Sequence, residues 1–178
     1  MRTRASVLGL GNVLMGDDAV GPYAVRTLQA RYEFPEGVFV IDLGTPGLDL
    51  TPHLADAEAV IILDAVRAQG KPGDLRLYRR DQILRHPPPS RLGPHEPGLK
   101  EALLSLEFAG EGPREVLLIG VIPERVRPGV GMSLAVRGAI AAVEAEVLAE
   151  LVRLGIPAAM RVPPDKPEIW WETPADGA

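Results

Sequence analysis

The chain has 178 residues with 19 Lys+Arg against 24 Asp+Glu, a formal net charge of −5, and this length fits one domain with its own core. Hydrophobic residues make up 46% and charged residues 24%, which excludes wholesale disorder, while the acidic balance argues against nucleic acid or an anionic membrane as the main partner. Cysteine is absent, so no disulfide, thiolate nucleophile, cysteinyl zinc site or iron–sulfur cluster can form.

Arg2 and Arg4 precede an uncharged stretch, Ala5 to Gly16, that superficially mimics a secretion signal. It is interrupted by Gly9, Gly11, Asn12 and Gly16 and runs into Asp17-Asp18 without a small-residue cleavage site, so it reads as a first strand with its loop. No apolar run approaches the ~20 residues of a membrane span. The expected address is the cytoplasm.

Ser6–Leu10 forms a short buried strand, ended by Gly11-Asn12. From Val20 the pattern is helical, with Val20, Ala24, Leu28 and Tyr32 every four residues and Pro22 in the first turn. Val38–Ile41 is a second strand closing on Asp42 and the turn-rich Gly44-Thr-Pro-Gly47; Ala59–Leu63 is continuously apolar, a central strand covered on both faces, ended by Asp64. Leu75–Tyr78 alternates like an edge strand, His86 to Pro94 is a proline-rich loop, Leu99–Leu106 is a short helix and Val116–Ile119 a last central strand. Ser133 caps a long helix with Val136, Ile140, Val143, Val147, Leu151 and Leu154 on one face, stopped by Gly155 and Pro157. Strands separated by helices predict an α/β fold: one domain over 1–155, with a twisted, mostly parallel central sheet and helices on both faces. Residues 156–178, with five prolines from Pro157 to Pro174, read as a tail pinned to the surface by Trp170-Trp171.

In such a sheet, ligands bind where loops leave the carboxyl ends of the strands. Those loops carry Asp17 and Asp18, Asp42, Asp64 and, just ahead of a helix, His95. Carboxylates with one imidazole form a ligand set for a divalent transition metal such as nickel or zinc. Each group also has a structural use. Asp17 and Asp18 stand where residues cap the helix from Val20. Asp64 abuts a buried strand, costly unless paired or liganded, and could accept hydrogen bonds from a helix N-terminus. His95 could be a surface residue, although a following helix N-terminus would keep it neutral, as a metal ligand requires. His53 and His86 have no acidic cluster at a strand end and read as structural.

Three other chemistries are weak. Gly9-Leu-Gly11 after a strand suggests a dinucleotide turn, but the third glycine of that fingerprint is replaced by Leu14. No Walker A phosphate loop is present. Gly131-Met-Ser-Leu-Ala135 lacks the last glycine of a nucleophile elbow, leaving Ser133 as a cap.

Five motifs in order over residues 7–155 resemble those of the hydrogenase maturation endopeptidases. They are Gly9-Leu-Gly-Asn-Val-Leu-Met-Gly-Asp-Asp-Ala-Val-Gly21, Asp42-Leu-Gly-Thr-Pro-Gly47, Ile61-Ile-Leu-Asp-Ala65, Pro94-His-Glu-Pro-Gly-Leu99 and Gly120-Val-Ile-Pro-Glu124. Ala19 stands where that family commonly has glycine, and the tail lies outside the resemblance. The resemblance implies an α/β fold and an endopeptidase that removes a short C-terminal peptide from the nickel-loaded precursor of a nickel–iron hydrogenase large subunit. It implies Asp18, Asp64 and His95 as both the metal-contacting and the catalytic residues. The nickel would come with the substrate, with zinc or cadmium able to substitute in vitro. It would position the scissile peptide, polarise its carbonyl or activate a water, or else Asp18 or Asp64 would act as general base. The competing expectations are a non-catalytic nickel-handling accessory protein using the same three ligands, and a nucleotide-binding domain resting on Gly9 and Gly11.

Overall fold

A computed structural model describes residues 3–45, 50–86 and 98–172. Its central sheet has five strands: β1 (Thr3–Leu10), β3 (Val38–Gly44), β4 (Ala57–Ala65), β5 (Leu75–Arg79) and β6 (Glu115–Val121), in the spatial order β3-β1-β4-β6-β5. β3, β1, β4 and β6 are parallel, and β5 closes the edge antiparallel to β6. A two-stranded ribbon pairs β2 (Tyr32–Glu33) with β7 (Ala159–Met160).

β4 shows why the central strands are continuously apolar. Ala59, Ile61, Leu63 and Ala65 enter one core, with α1 (Val20–Arg31) and α5 (Leu134–Arg153) over it. The alternate residues Val60, Ile62 and Val66 enter a second core, covered by α2 (Thr51–Ala55), α3 (Arg80–Arg85) and α4 (Leu99–Ala109). A strand buried on both faces has no solvent side on which to place polar residues. The predicted single mostly parallel sheet with helices on both faces is the fold observed.

Ser133 caps α5 as expected, its Oγ accepting from the Val136 N–H at 3.3 Å. Val136, Ile140, Val143, Val147 and Leu151 are buried along one face of that helix. Gly155, at φ +71°, ends the segment in a conformation other residues rarely adopt. Beyond it the chain is more ordered than a simple tail: β7 pairs with β2, Trp171 is buried, and Glu172 makes an ion pair with Arg137 at 2.7 Å.

Candidate active site

The first loop reaches the sheet's carboxyl edge because two glycines permit close backbone approach. A side chain on Gly21, at the start of α1, would collide with the carbonyl oxygens of Leu10 and Leu63; one on Gly11, at φ +143°, would collide with that of Asp18. The helix start is thereby seated on the ends of β1 and β4, and the 3-10 turn Gly16–Ala19 ahead of it packs against β4.

Capping does not describe Asp17 and Asp18, since neither α1 nor the turn before it has a side-chain cap. Asp17 is fully buried and faces the loop between β6 and α5. Its Oδ1 accepts from the Ser133 N–H (2.6 Å), and its Oδ2 accepts from the N–H groups of Glu124 and Arg125 (both 2.9 Å) and the Ser133 hydroxyl (3.0 Å). A buried carboxylate requires such donors, and three converging main-chain N–H groups supply them more fully than one helix start would. The same loops are joined by main-chain bonds from Gly16 to Gly129, Gly129 to Leu14 and Asp17 to Arg125. Asp17 is therefore a clamp.

Asp18, 5% exposed, faces the other way: its Oδ2 accepts from the Asn12 N–H at 2.7 Å. Asn12 in turn accepts from the Leu14 N–H through Oδ1, which folds the loop tightly between strand and turn.

Asp64 pairs in register with Gly120, next to the end of β4. By strand alternation with Leu63 and Ala65, its side chain projects to the face shared by Ile62 and Val66, the face on which α4 packs. Burial pushes its carboxyl well above the ordinary carboxylate range, opposed by the Ala65 N–H that donates to Oδ1 at 2.8 Å. A carboxylate kept near the sheet end at that desolvation cost is a functional-site signature. Asp42, by contrast, is used locally: Oδ1 accepts from the Gly44 N–H at 2.9 Å, and Arg26 lies 3.6 Å from Oδ2.

His95 lies outside the described residues. It falls in the segment immediately before α4, which begins at Leu99. Among the described residues no three acidic or imidazole groups gather to hold an ion. Asp18 and Asp64 supply carboxylate oxygens at one sheet end, a donor set suited to a divalent cation when completed by a further ligand. His53 is exposed on α2 and His86 is exposed at the end of α3.

Sequence reading gave no role to two features beside the carboxylates. A cleft of about 430 Å3 opens between the loops after β4 and β6, lined by Val66, Arg67, Ala68, Ile122, Pro123 and Val126. A smaller one, about 190 Å3, lies on the other side of the same loop against Gly16, Arg125 and Arg127. The Arg-Val-Arg run following Pro123-Glu124 was their only trace in the sequence.

Fold and site together define an α/β protein with buried carboxyl groups gathered at the carboxyl edge of a mostly parallel sheet. A family model for hydrogenase maturation protease matches residues 22–150. The hydrogenase 2 maturation protease of Escherichia coli K12 is 36% identical over 163 residues, covering 89% of this chain and 96% of the relative. The solved hydrogenase maturating endopeptidase HybD from E. coli superposes with a TM-score of 0.80 at 35% identity, over 90% of this chain and 99% of that one. A hydrogenase 2 maturation peptidase from Thaumarchaeota archaeon SCGC_AB-539-E09 gives 0.65 at 35% identity, over 84% and 98%. The chain belongs to the hydrogenase maturation protease family and is a peptidase. The non-catalytic alternative is not favoured.

Proposed function

We propose that this peptidase removes a short C-terminal peptide from the nickel-loaded precursor of a nickel–iron hydrogenase large subunit, with Asp18, Asp64 and His95 engaging the metal that arrives in the substrate. The observation that carries the reading is the placement of two desolvated carboxyl groups, Asp18 and Asp64, at one end of the sheet. A divalent cation offsets the cost of keeping such groups ionised. Recognition of the metal also makes cleavage conditional on loading, because an empty precursor offers these carboxylates no counter-charge.

Hydrolysis adds water across the scissile bond. The water oxygen joins the carbonyl carbon, the C–N bond breaks, and the leaving amine takes up a proton, with Asp18 or Asp64 as the acceptor that relays it. The protein has no cysteine to form an acyl-enzyme, and Ser133 is committed to Asp17 and to the α5 cap. Among the described residues no helix is long and apolar enough to cross a membrane, and the reading places the reaction in the cytoplasm, where a precursor is assembled. Incubating the protein with nickel-loaded and nickel-free precursor and measuring intact mass tests it. Loss of a C-terminal peptide only from the loaded form is the expected result, and no mass change in either would refute the reading.

A further inference from the structure

Eight arginines of the described chain, including Arg26, Arg79, Arg137 and Arg153, are paired with acidic side chains. Six exposed arginines make no ion pair among the described residues: Arg4, Arg85 and Arg114 lie away from the clefts, and Arg67, Arg125 and Arg127 do not. Arg67, Arg125 and Arg127 line the two clefts beside the carboxylates, in a protein whose net charge is −5. An unpaired positive rim on an acidic protein attracts a negative ligand that the rest of the surface repels.

The larger cleft begins at Val66, two residues beyond Asp64 in the chain, and its other wall starts at Ile122, just past the end of β6. Its floor is apolar where Val66 and Ile122 are buried, and its rim carries Arg67 and the half-exposed Val126. Arg125 and Arg127 continue the charge along the loop that Asp17 clamps, and that clamp uses the main-chain groups of Arg125, leaving its guanidinium to solvent. A peptide whose metal-bearing side is held at Asp18 and Asp64 must leave the site along one flank of the sheet. On the flank over β3 the Asp42 carboxylate is already paired with Arg26, whereas the flank over β6 carries the cleft and arginines without an acidic partner.

We infer that the clefts over β6 bind the segment to be removed, an apolar side chain filling the 430 Å3 cleft and a carboxylate-bearing residue pairing with Arg67, Arg125 and Arg127. The inference rests on the function proposed above, and it makes the arginines specificity-determining residues outside the chemistry.

The test compares wild type with the Arg67→Glu/Arg125→Glu/Arg127→Glu variant, using nickel-loaded precursor and the mature large subunit that lacks the extension. Cleavage is followed by intact mass at several salt concentrations, and binding by surface-immobilised enzyme. The triple variant should raise KM about tenfold or more with kcat changed by no more than about threefold. Wild-type KM should climb with salt while that of the charge-reversed variant falls, and binding of the mature subunit should be unaffected. Should the triple variant fold poorly, Arg67→Gln alone must still raise KM and blunt the salt response. Cleavage by wild type with variant KM unchanged would overturn the arginine assignment only, as would equal losses for precursor and mature subunit. Failure of wild type to cleave the loaded precursor would bring down the proposed function and this inference together.

Discussion

Asp17 and Ser133 are joined twice, main-chain N–H to Oδ1 at 2.6 Å and hydroxyl to Oδ2 at 3.0 Å, across 116 residues of sequence. The first loop and the start of α5 are thereby one unit, and Asp18 is presented from it.

Replacing Asp17 by Asn puts an NH2 group opposite N–H donors and leaves buried groups unsatisfied. A loss of about 3 kcal/mol is expected, which for a chain of this size is a fall of roughly 6–12 °C in Tm. Ser133→Ala should cost less, about 1 kcal/mol, since the main-chain bonds from Ser133, Glu124 and Arg125 to Asp17 survive. Melting curves of the two variants check the order.

Asp64→Asn should separate chemistry from architecture. It keeps shape but removes the charge that a cation or a proton relay requires, so the variant should fold, with equal or higher Tm because a desolvated acid is gone. Processing of loaded precursor should fall by about 10²-fold or more. Normal processing by the folded variant would remove Asp64 from the site.

For His95, metal titration is the direct measurement. Nickel, zinc or cadmium should bind weakly at about one site per chain, since the proposed ligands include no thiolate. Calorimetry of His95→Ala should show that binding lost, and unaltered binding would exclude the imidazole as a ligand.

Two glycine substitutions should have opposite signs. Gly21→Ala drives a methyl group into the Leu10 and Leu63 carbonyls, costing about 2–3 kcal/mol and displacing the turn that carries Asp18, so precursor cleavage should fall with stability. Gly138, inside α5, has open space where a Cβ would go, and Gly138→Ala should stabilise by about 0.5–1 kcal/mol with cleavage unchanged.

Acid should act first through Glu150. Burial would raise its carboxyl, but hydrogen bonds from Arg153 and Arg79 (2.6–3.0 Å), with their charges, hold it at about 2, below its ordinary 4.5. The folded form therefore binds its proton less readily than the unfolded chain, and the stability this confers is complete above about pH 4.5 and disappears as pH falls towards 2. Glu144, raised by burial in spite of Arg31, works in the opposite sense and offsets part of the loss. Denaturation midpoints measured from pH 6 to 2 should drop steeply in wild type and more shallowly in Glu150→Gln.

The sheet was legible because each central strand is a run of buried residues closed by a glycine or an acid, and α5 because its apolar stripe lies between Ser133 and Gly155. The short elements were not. α2 and α3, five and six residues long, are too brief for helical periodicity, and β2 and β7 exist only because they meet each other. Motif and strand-end position both pointed to Asp18, Asp64 and His95; the first two lie near the sheet's carboxyl edge, and His95 lies outside the described residues. The adjacent Asp17 could not be separated from Asp18, because its partners Glu124, Arg125 and Ser133 come from over 100 positions away. The arginine rim was missed for a similar reason: a surface arginine becomes informative only when its neighbours are seen to leave it unpaired.

The Glu150 cluster sits where Arg79 pairs with Leu117 in register, towards the start of β6, whereas Asp64 pairs with Gly120 towards its finish. The strand thus works as a spacer between two electrostatic regimes. At its lower end charges are neutralised in a closed lattice with Arg79, Arg153 and Glu115; at its upper end stands the buried carboxyl of Asp64. Such a layout lets substitutions at the upper end leave the anchoring end untouched, so the end proposed to meet the substrate can drift without putting the scaffold at risk.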